Sequence, residues 1–399
     1  MDRIKLNITI KKEYYQDLSP LPWQKPLTEW KQPNISLVRA RKGLARHEVI
    51  FIRVNHRKFA IKETTAEMAC QENKIYEYLQ KLNIPSLQPV GYVIRAEEPV
   101  AENTRAGIQY DQLDTGFLIT RLEDKVIPES HLLRRNFSSV NRQILYRSIA
   151  LLLARIHNNG IYWGDASLAN LLLRFAREDI PGLGAKRIIT ATLADAETVE
   201  IKPGLAEALQ ENDLDSFFES IDWFHQDLLQ AGYGGHIFQI DIMKDSIRQL
   251  YLEYRSIFQE LNTFDQRTGL SLEKMMGVPG KIEYITILGQ HIDAHKWYLS
   301  ERLNREILLR EAARDWYRNI FLPVCSELRQ ENILEYFPGK TAADLYVEIM
   351  THKYFEASKA GHDIPLETAI KNYCQNFGLD ISISSRIRNI IEKFLKIFE

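Results

Sequence analysis

The sequence contains few cysteines and no long hydrophobic run. Its cysteines, Cys70, Cys325 and Cys374, are odd in number and widely spaced, a pattern that fits neither a disulfide framework nor a zinc cluster. The longest apolar stretch, residues 149–154, is far shorter than the roughly 18 residues that a membrane-spanning helix needs. Charged and amide side chains interrupt the apolar residues of segment 1–15, so we expect no export signal and a cytoplasmic chain.

The charges of the chain nearly cancel. Fifty-one Lys and Arg stand against 53 Asp and Glu, which gives a formal net charge of −2. This balance argues against a polybasic protein that binds nucleic acid or an anionic membrane. Apolar residues make up 45% of the 399 residues, enough to bury a core and to exclude wholesale disorder. A chain of this length predicts roughly two or three domains.

Short β-rich runs alternate with turns between residues 35 and 122, after an N-terminal extension that covers residues 1–34. Three runs precede a helix predicted over residues 66–82, and two runs follow it. This order predicts an antiparallel sheet that carries one helix. The β-rich runs cover residues 35–41, 47–54, 58–63, 90–95 and 116–122.

Residues 123–268 have a predominantly helical pattern. Apolar spacing predicts one helix over residues 146–158 and another over residues 209–229. Two short apolar runs, residues 168–175 and 187–194, flank a turn-rich segment and predict a hairpin. With the preceding sheet, this region predicts an α+β fold class.

The last region, residues 269–399, is almost entirely helical and contains an internal repeat. Residues 295–317 align without gaps with residues 352–374, and each copy predicts a helix, a tight turn at Asn304 or Gly361, and a second helix. Aromatic residues recur at matching positions, so we expect the stacked helices to pack them in one shared core. They are Trp297, Tyr298 and Trp316 in the first copy and Tyr354, Phe355 and Tyr373 in the second.

The repeat admits two interpretations. A helix-turn-helix unit can read DNA, but that motif needs a basic recognition face. The second helix of each copy carries mixed charge instead. We therefore favour a packing module on which a protein partner docks.

Five polar residues stand in an order typical of phosphoryl transfer from ATP. Lys62 ends a predicted strand, and Glu72 lies on the helix after it. Asp165 and Asn170 follow the next predicted helix, and Asp195 follows the hairpin. This order of lysine, glutamate, aspartate, asparagine and aspartate is the constellation that the reaction requires.

Each residue type suits one task in that chemistry. The Lys62 ammonium can hold the α- and β-phosphates, and Glu72 can position it by ion pairing. Mg²⁺ prefers hard oxygen ligands, which Asn170 and Asp195 supply. A separate carboxylate, that of Asp165, can orient an attacking hydroxyl and accept its proton.

With these motifs the chain resembles the protein-kinase-like superfamily, and in particular its atypical bacterial branches: aminoglycoside phosphotransferases, RIO-type kinases and lipopolysaccharide kinases. The pattern H-x-x-G followed by G-D-x-S-x-x-N, with Ser167 two places after the Asp, resembles the RIO-type catalytic loop. The segments WGDASLANLLLR and DAETVE and the helical tail are similar to a lipopolysaccharide-kinase-like bacterial family with a helical C-terminal extension. The superfamily resemblance covers residues 35–260.

The resemblance implies a fold, two cofactors and a set of site residues. The fold would be a two-lobed α+β kinase-like domain followed by an all-α module, and the cofactors would be ATP and Mg²⁺. Lys62 would be the ATP lysine and Glu72 its partner. Asp165 would be the catalytic base, and Asn170 and Asp195 would be the metal ligands.

The segment 36–49 departs from the family's glycine-rich phosphate loop. It contains a single glycine, Gly43, among basic residues. Arg41 and Lys42 beside it are candidate substitutes for the backbone amides that normally bind phosphate. Arg41, Lys42 and Gly43 are therefore predicted nucleotide-binding residues.

The catalytic segments also depart from the family's pattern. Trp163 stands where the catalytic loop usually has a histidine, and Ala196 and Glu197 replace the Phe and Gly that usually follow the metal-binding Asp. No Ala-Pro-Glu segment follows. These departures argue against a typical Ser/Thr protein kinase.

Some assignments stay open at the level of sequence. Glu67 and Glu77 compete with Glu72 as the partner of Lys62. His157 is expected to have a structural role, bonded to a backbone carbonyl or a carboxylate. One aspartate of the next predicted helix is expected to hold the catalytic-loop backbone; the candidates are Asp213, Asp215 and Asp222.

We therefore predict a kinase-like phosphotransferase that moves the γ-phosphoryl group of ATP to a hydroxyl acceptor of unknown identity. The alternative is a nucleotide-binding pseudokinase that signals through its helical module. Loss of the glycine loop favours this alternative, whereas retention of the five polar residues argues against it. A nucleic-acid-associated regulator is the least favoured interpretation.

Overall fold

The structure is a computed structural model. It describes residues 4–31, 35–38, 47–97, 114–122, 126–128, 139–232 and 239–378. These residues have the predicted α+β class, with most strands toward the N-terminus and helices toward the C-terminus.

The chain divides into two compact units. The first unit comprises Met1–Ser139, Asn159–Arg174 and Thr190–Asp245, and the second comprises Val140–Asn158, Phe175–Ile189 and Ser246–Glu399. Both units therefore combine segments that are distant in the chain. The predicted division into an extension, two lobes and a helical module stays a prediction.

The first unit contains a five-stranded antiparallel sheet. Its strands are β1 (Ile4–Ile10), β2 (Val49–Val54), β3 (Arg57–Thr65), β4 (Gln88–Glu97) and β5 (Thr115–Arg121). They lie in the order β1, β4, β5, β3, β2, and every neighbouring pair is antiparallel. Helix α1 (Lys12–Leu18) follows β1, and helix α2 (Ala66–Lys81) continues directly from β3, which confirms the helix predicted there.

The fifth strand of this sheet is β1, whereas the run at residues 35–41, predicted as a strand, pairs with β2 through its described residues and is not one of the five strands. In that run Leu37 forms an isolated bridge with Ile52, and residues 39–41 lie outside the described residues. β1 instead pairs with β4 along its whole length. Apolar and polar residues alternate in β1, as a half-buried edge strand requires.

The core of the first unit takes in side chains from the N-terminal segment. The ring of Trp23 packs against Trp30 and against Phe117 of β5, with centroids 5.1 and 5.5 Å apart. The buried indole N–H of Trp23 donates a hydrogen bond to the Leu18 carbonyl at 2.9 Å. Residues 1–34, set apart by sequence as an extension, thus supply both an edge strand and part of the core.

Two smaller sheets frame the predicted catalytic segments. Their strands are β6 (Val126–Pro128), β7 (Ile161–Tyr162), β8 (Leu171–Ile180), β9 (Gly184–Leu193) and β10 (Glu200–Ile201). β7 pairs with β10, and β8 lies between β6 and β9. Strands β8 and β9 confirm the predicted hairpin.

Helices make up most of the remaining described chain. They are α3 (Ser139–Asn158), α4 (Glu207–Gln230), α5 (Ile240–Thr268), α6 (Leu272–Met276), α7 (Ile282–Leu303), α8 (Leu309–Trp316), α9 (Leu322–Gln330), α10 (Ile333–Tyr336), α11 (Ala342–Ala360) and α12 (Leu366–Phe377). A short 3-10 helix (Leu27–Glu29) and a π-helical turn (Tyr317–Phe321) complete the set. Helices α3 and α4 confirm those predicted in the central region. Across the described ranges, no helix combines the length and apolarity that crossing a membrane requires.

The two predicted repeat copies fold as helix, turn and helix. α7 ends at Asn304 and α11 ends at Gly361, and both residues adopt the left-handed conformation at the turn. Glycine adopts this conformation without strain, and asparagine tolerates it better than most residues. Among the aromatic residues at matching positions, Trp316 and Tyr373 are buried as expected.

The other aromatic residues of the repeat do not join a shared core, so that part of the prediction was wrong. Trp297 and Tyr298 on α7 are 68% and 53% exposed, and Tyr354 and Phe355 on α11 are 70% and 56% exposed. The helical period explains the error, because α7 turns Ile292 and its apolar neighbours inward and leaves these positions on the outer face. Both copies therefore present an exposed aromatic pair.

Candidate functional site

Lys62 of β3 pairs with a glutamate on the following helix. Its Nζ lies 2.7 Å from Oε1 of Glu72, which is the partner among the three predicted glutamates. The turn from β3 into α2 fixes this geometry, because the Thr65 hydroxyl caps the helix by accepting the Met68 N–H at 3.3 Å. Glu72 is buried, so the ion pair lies beneath the surface.

The pair shifts the pKa values of both residues upward. Burial raises the pKa of Glu72 to about 7, although the positive charge of Lys62 opposes the shift. Burial alone would lower the pKa of Lys62, but the charges of Glu72 and Asp195 outweigh it and raise that pKa. Lys62 is therefore held as a cation.

Asp195 and Glu197 bring two further carboxylates to the same ammonium. Both follow the end of β9, and their oxygens lie 3.4 and 3.1 Å from Lys62 Nζ. The Glu197 Oε2 atom also lies 3.2 Å from Nε2 of His47. In the sequence Glu197 stands out only as a departure from the family's pattern, and its place two residues after Asp195 is the signal that it shares the site.

Asp165 and Asn170 form one hydrogen-bonded turn. The Asn170 side-chain amide donates to the backbone carbonyl of Asp165 at 3.0 Å and to its carboxylate at 3.1 Å. The Asn170 carbonyl accepts the N–H of Ala194 at 2.9 Å. This bond places the turn beside the residue that precedes Asp195.

Asp213 holds the backbone of this loop. Its fully buried carboxylate accepts the N–H groups of Trp163 and Gly164, each at 2.8 Å. The indole N–H of Trp163 donates to the Asp195 carbonyl at 3.2 Å, so the tryptophan in the place of the usual histidine joins the loop to the end of β9. Gly164 has a φ of 81°, and a side chain there would collide with the Thr198 carbonyl.

Tyr76 joins α2 to the same strand end. Its buried hydroxyl donates to the Ala194 carbonyl at 2.8 Å. Since α2 also carries Glu72, one helix supports both the lysine partner and the segment that carries Asp195. The structure thus gathers Lys62, Glu72 and Asp195 into one cluster in the first unit.

Other predicted residues lie elsewhere. Arg41, Lys42 and Gly43 fall outside the described residues. His157 is buried in the second unit, where its Nδ1 atom lies 2.7 Å from the Tyr251 hydroxyl. This contact gives His157 a structural role, with a tyrosine as partner.

The donor set of the cluster fits a hard divalent cation. Carboxylate oxygens of Glu72, Asp195 and Glu197 lie within 4.8 Å of one another, and Asn170 adds an amide beside the end of β9. Glu72 and Glu197 make the shorter contacts with Lys62, so Asp195 and Asn170 are the residues that would hold the cation. Oxygen donors without thiols suit Mg²⁺. The Lys62 ammonium among them supplies a positive group for phosphate.

The chain is similar to one protein family over a short segment and to a number of solved structures. Residues 312–377 match a family described as "Domain of unknown function (DUF4032)". No curated protein matches the chain. The solved structure "WaaP in complex with acyl carrier protein" is 12% identical, with a TM-score of 0.41 over 64% of this chain and 94% of that one. "Crystal structure of BubR1 kinase domain" is 13% identical, with a TM-score of 0.29 over 49% of this chain and 59% of that one.

The chain has a protein-kinase-like fold. Its antiparallel sheet carries one helix, and the lysine of β3 pairs with a glutamate of that helix. A loop with Asp165 and Asn170 follows, and then an aspartate at the end of β9. This arrangement of sheet, helix and loop is the one that the sequence resemblance implies.

Proposed function

We propose that this chain is an ATP- and Mg²⁺-dependent phosphotransferase that acts on a hydroxyl acceptor. The observation that carries the proposal is the Lys62 ammonium, held 2.7 Å from a buried Glu72 carboxylate and beside Asp195. A lysine paired in this way is positioned to bind phosphate.

In this proposal each residue has one task. Lys62 binds the α- and β-phosphates, and Glu72 holds Lys62 in place. Asp195 and Asn170 would hold Mg²⁺, which when bound neutralises phosphate charge. Asp165 accepts the proton of the acceptor hydroxyl. The hydroxyl oxygen then bonds to the γ-phosphorus while the bond from the γ-phosphorus to the bridging oxygen breaks, and ADP leaves with that oxygen.

Nucleotide binding is tested by thermal unfolding of the full chain. ATP with Mg²⁺ at 100 times its dissociation constant should stabilise the native state by about 2.7 kcal/mol and raise the melting temperature. Asp195→Ala should lose most of this shift, because a metal ligand is removed. A wild type that shows no shift and behaves like Asp195→Ala would count against a nucleotide site.

Transfer is tested with Asp165→Asn, which keeps the shape of the side chain but cannot accept a proton. We expect ATP affinity within a few-fold of wild type and a turnover lowered by about 10² to 10⁴. Lys62→Ala and Asp195→Ala should instead reduce binding and turnover together. Radiolabelled γ-phosphate offered to small molecules, glycans and proteins would identify the acceptor class.

A nucleotide-binding pseudokinase is the second candidate, and the second unit supplies the observation that favours it. Helices α7 and α11 each expose an aromatic pair, Trp297 with Tyr298 and Tyr354 with Phe355. Exposed aromatic residues are enriched where proteins dock. ATP turnover that is equal in wild type and Asp165→Asn, at saturating nucleotide, would favour this candidate over the enzyme.

A further inference from the structure

Three carboxylates surround the single Lys62 ammonium. The oxygens of Glu72, Glu197 and Asp195 lie 2.7, 3.1 and 3.4 Å from Nζ. A lysine ammonium has three N–H donors, so these contacts occupy all of them. A phosphate oxygen that binds Lys62 has to displace one of the carboxylates.

The surroundings of the carboxylates indicate which one leaves. The side chain of Glu72 is 1% exposed, which leaves no route by which phosphate could replace it. Asp195 is more exposed, at 35%, but it is the proposed metal ligand and its Oδ1 atom also accepts the Glu197 N–H at 3.1 Å, so metal binding keeps it in the site. Glu197 is 20% exposed and reaches Lys62 from the segment after β9, so its side chain is the one that can turn away.

Charge makes this displacement depend on a cation. With all three carboxylates ionised, the cluster of Lys62, Glu72, Asp195 and Glu197 has a formal charge of −2, from one positive and three negative groups. Like charges at such short range repel strongly in a partly buried site. A nucleotide without metal meets this repulsion, whereas a nucleotide that carries a divalent cation brings the compensating charge.

We propose that Glu197 is a specificity-determining residue that makes the site select metal-bound nucleotide over free nucleotide. Glu197 occupies the phosphate-binding face of Lys62 and releases it when a divalent cation accompanies the phosphates. His47 Nε2, 3.2 Å from the same Glu197 oxygen, holds the carboxylate in the selecting position. This role rests on the proposed nucleotide site and adds to it a selectivity that Lys62 and Asp195 alone do not supply.

The test compares the affinity of the full chain for ATP in EDTA and in Mg²⁺ by isothermal titration calorimetry at pH 8. Glu197→Gln removes one negative charge with little change of shape. We expect it to tighten ATP binding in EDTA by about tenfold and to change binding in Mg²⁺ by less than about twofold. The ratio of the two dissociation constants should therefore fall by about tenfold.

Two further variants separate charge from shape. Glu197→Asp keeps the charge on a shorter side chain, so the ratio should stay within about threefold of wild type. Glu200→Gln is the matched control, because Glu200 is an exposed glutamate three residues further along the chain and pairs with Lys202. It should leave the ratio of the two dissociation constants unchanged. The melting temperature of each variant without nucleotide shows that it is folded.

The remaining outcomes overturn the inference in distinguishable ways. If Glu197→Gln leaves the ratio of the two dissociation constants unchanged, the Glu197 carboxylate does not select metal-bound over free nucleotide. Weaker binding in Mg²⁺ without a gain in EDTA means that Glu197 is a metal ligand. If the wild type binds ATP in neither condition, the proposed function itself fails, and this inference fails with it.

Discussion

Asp213 shows how a single buried carboxylate can position a distant loop. It lies on α4, yet both of its oxygens accept backbone N–H groups from Trp163 and Gly164. A buried carboxylate that accepts two N–H groups stabilises the loop. If either N–H stayed buried without an acceptor, the folded state would lose about 1 to 3 kcal/mol of stability. The loop that carries Asp165 therefore depends on a residue that has no part in the proposed chemistry.

We predict that Asp213→Asn destabilises the first unit and slows phosphoryl transfer. An asparagine offers one acceptor oxygen, and its NH₂ group faces the second N–H, so the unfolding free energy should fall by about 1 to 3 kcal/mol. Misplacing the loop should lower turnover by about tenfold to a hundredfold. Urea denaturation and a steady-state assay measure the two effects.

Asp227→Asn is the matched control, since Asp227 is an exposed aspartate on the same helix. It should change stability by less than about 0.5 kcal/mol. Equal behaviour of the two variants would contradict the anchoring role of Asp213.

Cys325 is the second residue with a testable property. It is fully buried, and burial raises the pKa of its thiol to about 12. At pH 8 only about one such thiol in ten thousand is ionised, so a chain with Cys70→Ser and Cys374→Ser should react very slowly with Ellman's reagent while folded. The same chain in urea should react rapidly, and fast labelling of the native form would contradict the burial.

At the scale of the element, α11 begins with a capping box. The Thr341 hydroxyl accepts the Asp344 N–H at 3.3 Å, and the Asp344 carboxylate accepts the Thr341 N–H at 3.0 Å. The other oxygen of Asp344 accepts the Gly280 N–H at 2.7 Å. Asp344 thus joins the start of α11 to the turn before α7.

Replacing Thr341 should weaken this helix start. Thr341→Ala removes the hydroxyl acceptor and should lower the free energy of unfolding by about 1 kcal/mol. Thr341→Ser keeps the acceptor and should stay within about 0.5 kcal/mol of wild type. Denaturant titrations of the three proteins check this, and a serine variant as unstable as the alanine variant would show that the methyl group matters instead.

At the scale of the whole molecule, the second unit is held together by a polar cluster around Glu348. Its carboxylate accepts the Tyr284 hydroxyl of α7 at 2.6 Å and the Tyr373 hydroxyl of α12 at 2.7 Å. Lys340 pairs with the same carboxylate. Because Glu348 lies on α11, the helices α7, α11 and α12 meet at this residue. Removing one of these helices would leave partly buried polar groups of the other two without their partners.

Truncation after Gly361 should therefore disrupt the second unit. It deletes α12, whose Ala369 and Ile370 are fully buried, and exposes the apolar face that they cover. We expect aggregation in size-exclusion chromatography and a lower melting temperature. Truncation after Gly378 keeps α12 and is the control; a soluble, equally stable chain ending at Gly361 would show that α12 is dispensable.

Much of the fold and the residue set of the site follow from local patterns in the sequence. Apolar spacing located α2 and α3, because a helix buries one face wherever it forms. Turn-rich residues between apolar runs located the β8–β9 hairpin. The order of Lys62, Asp165 and Asp195 indicated phosphoryl transfer, because that chemistry needs those residue types in sequence positions that the fold brings together.

Contacts between distant segments decided the rest. β1 completes the sheet through a ladder with β4, and its alternation alone does not distinguish it from the run at residues 35–41. The choice of Asp213 as loop anchor and the approach of Glu197 to Lys62 depend on where β9 and α4 pass the loop. A sequence specifies which side chain a residue carries and which face of its own element it occupies, but only packing determines which partner that face meets.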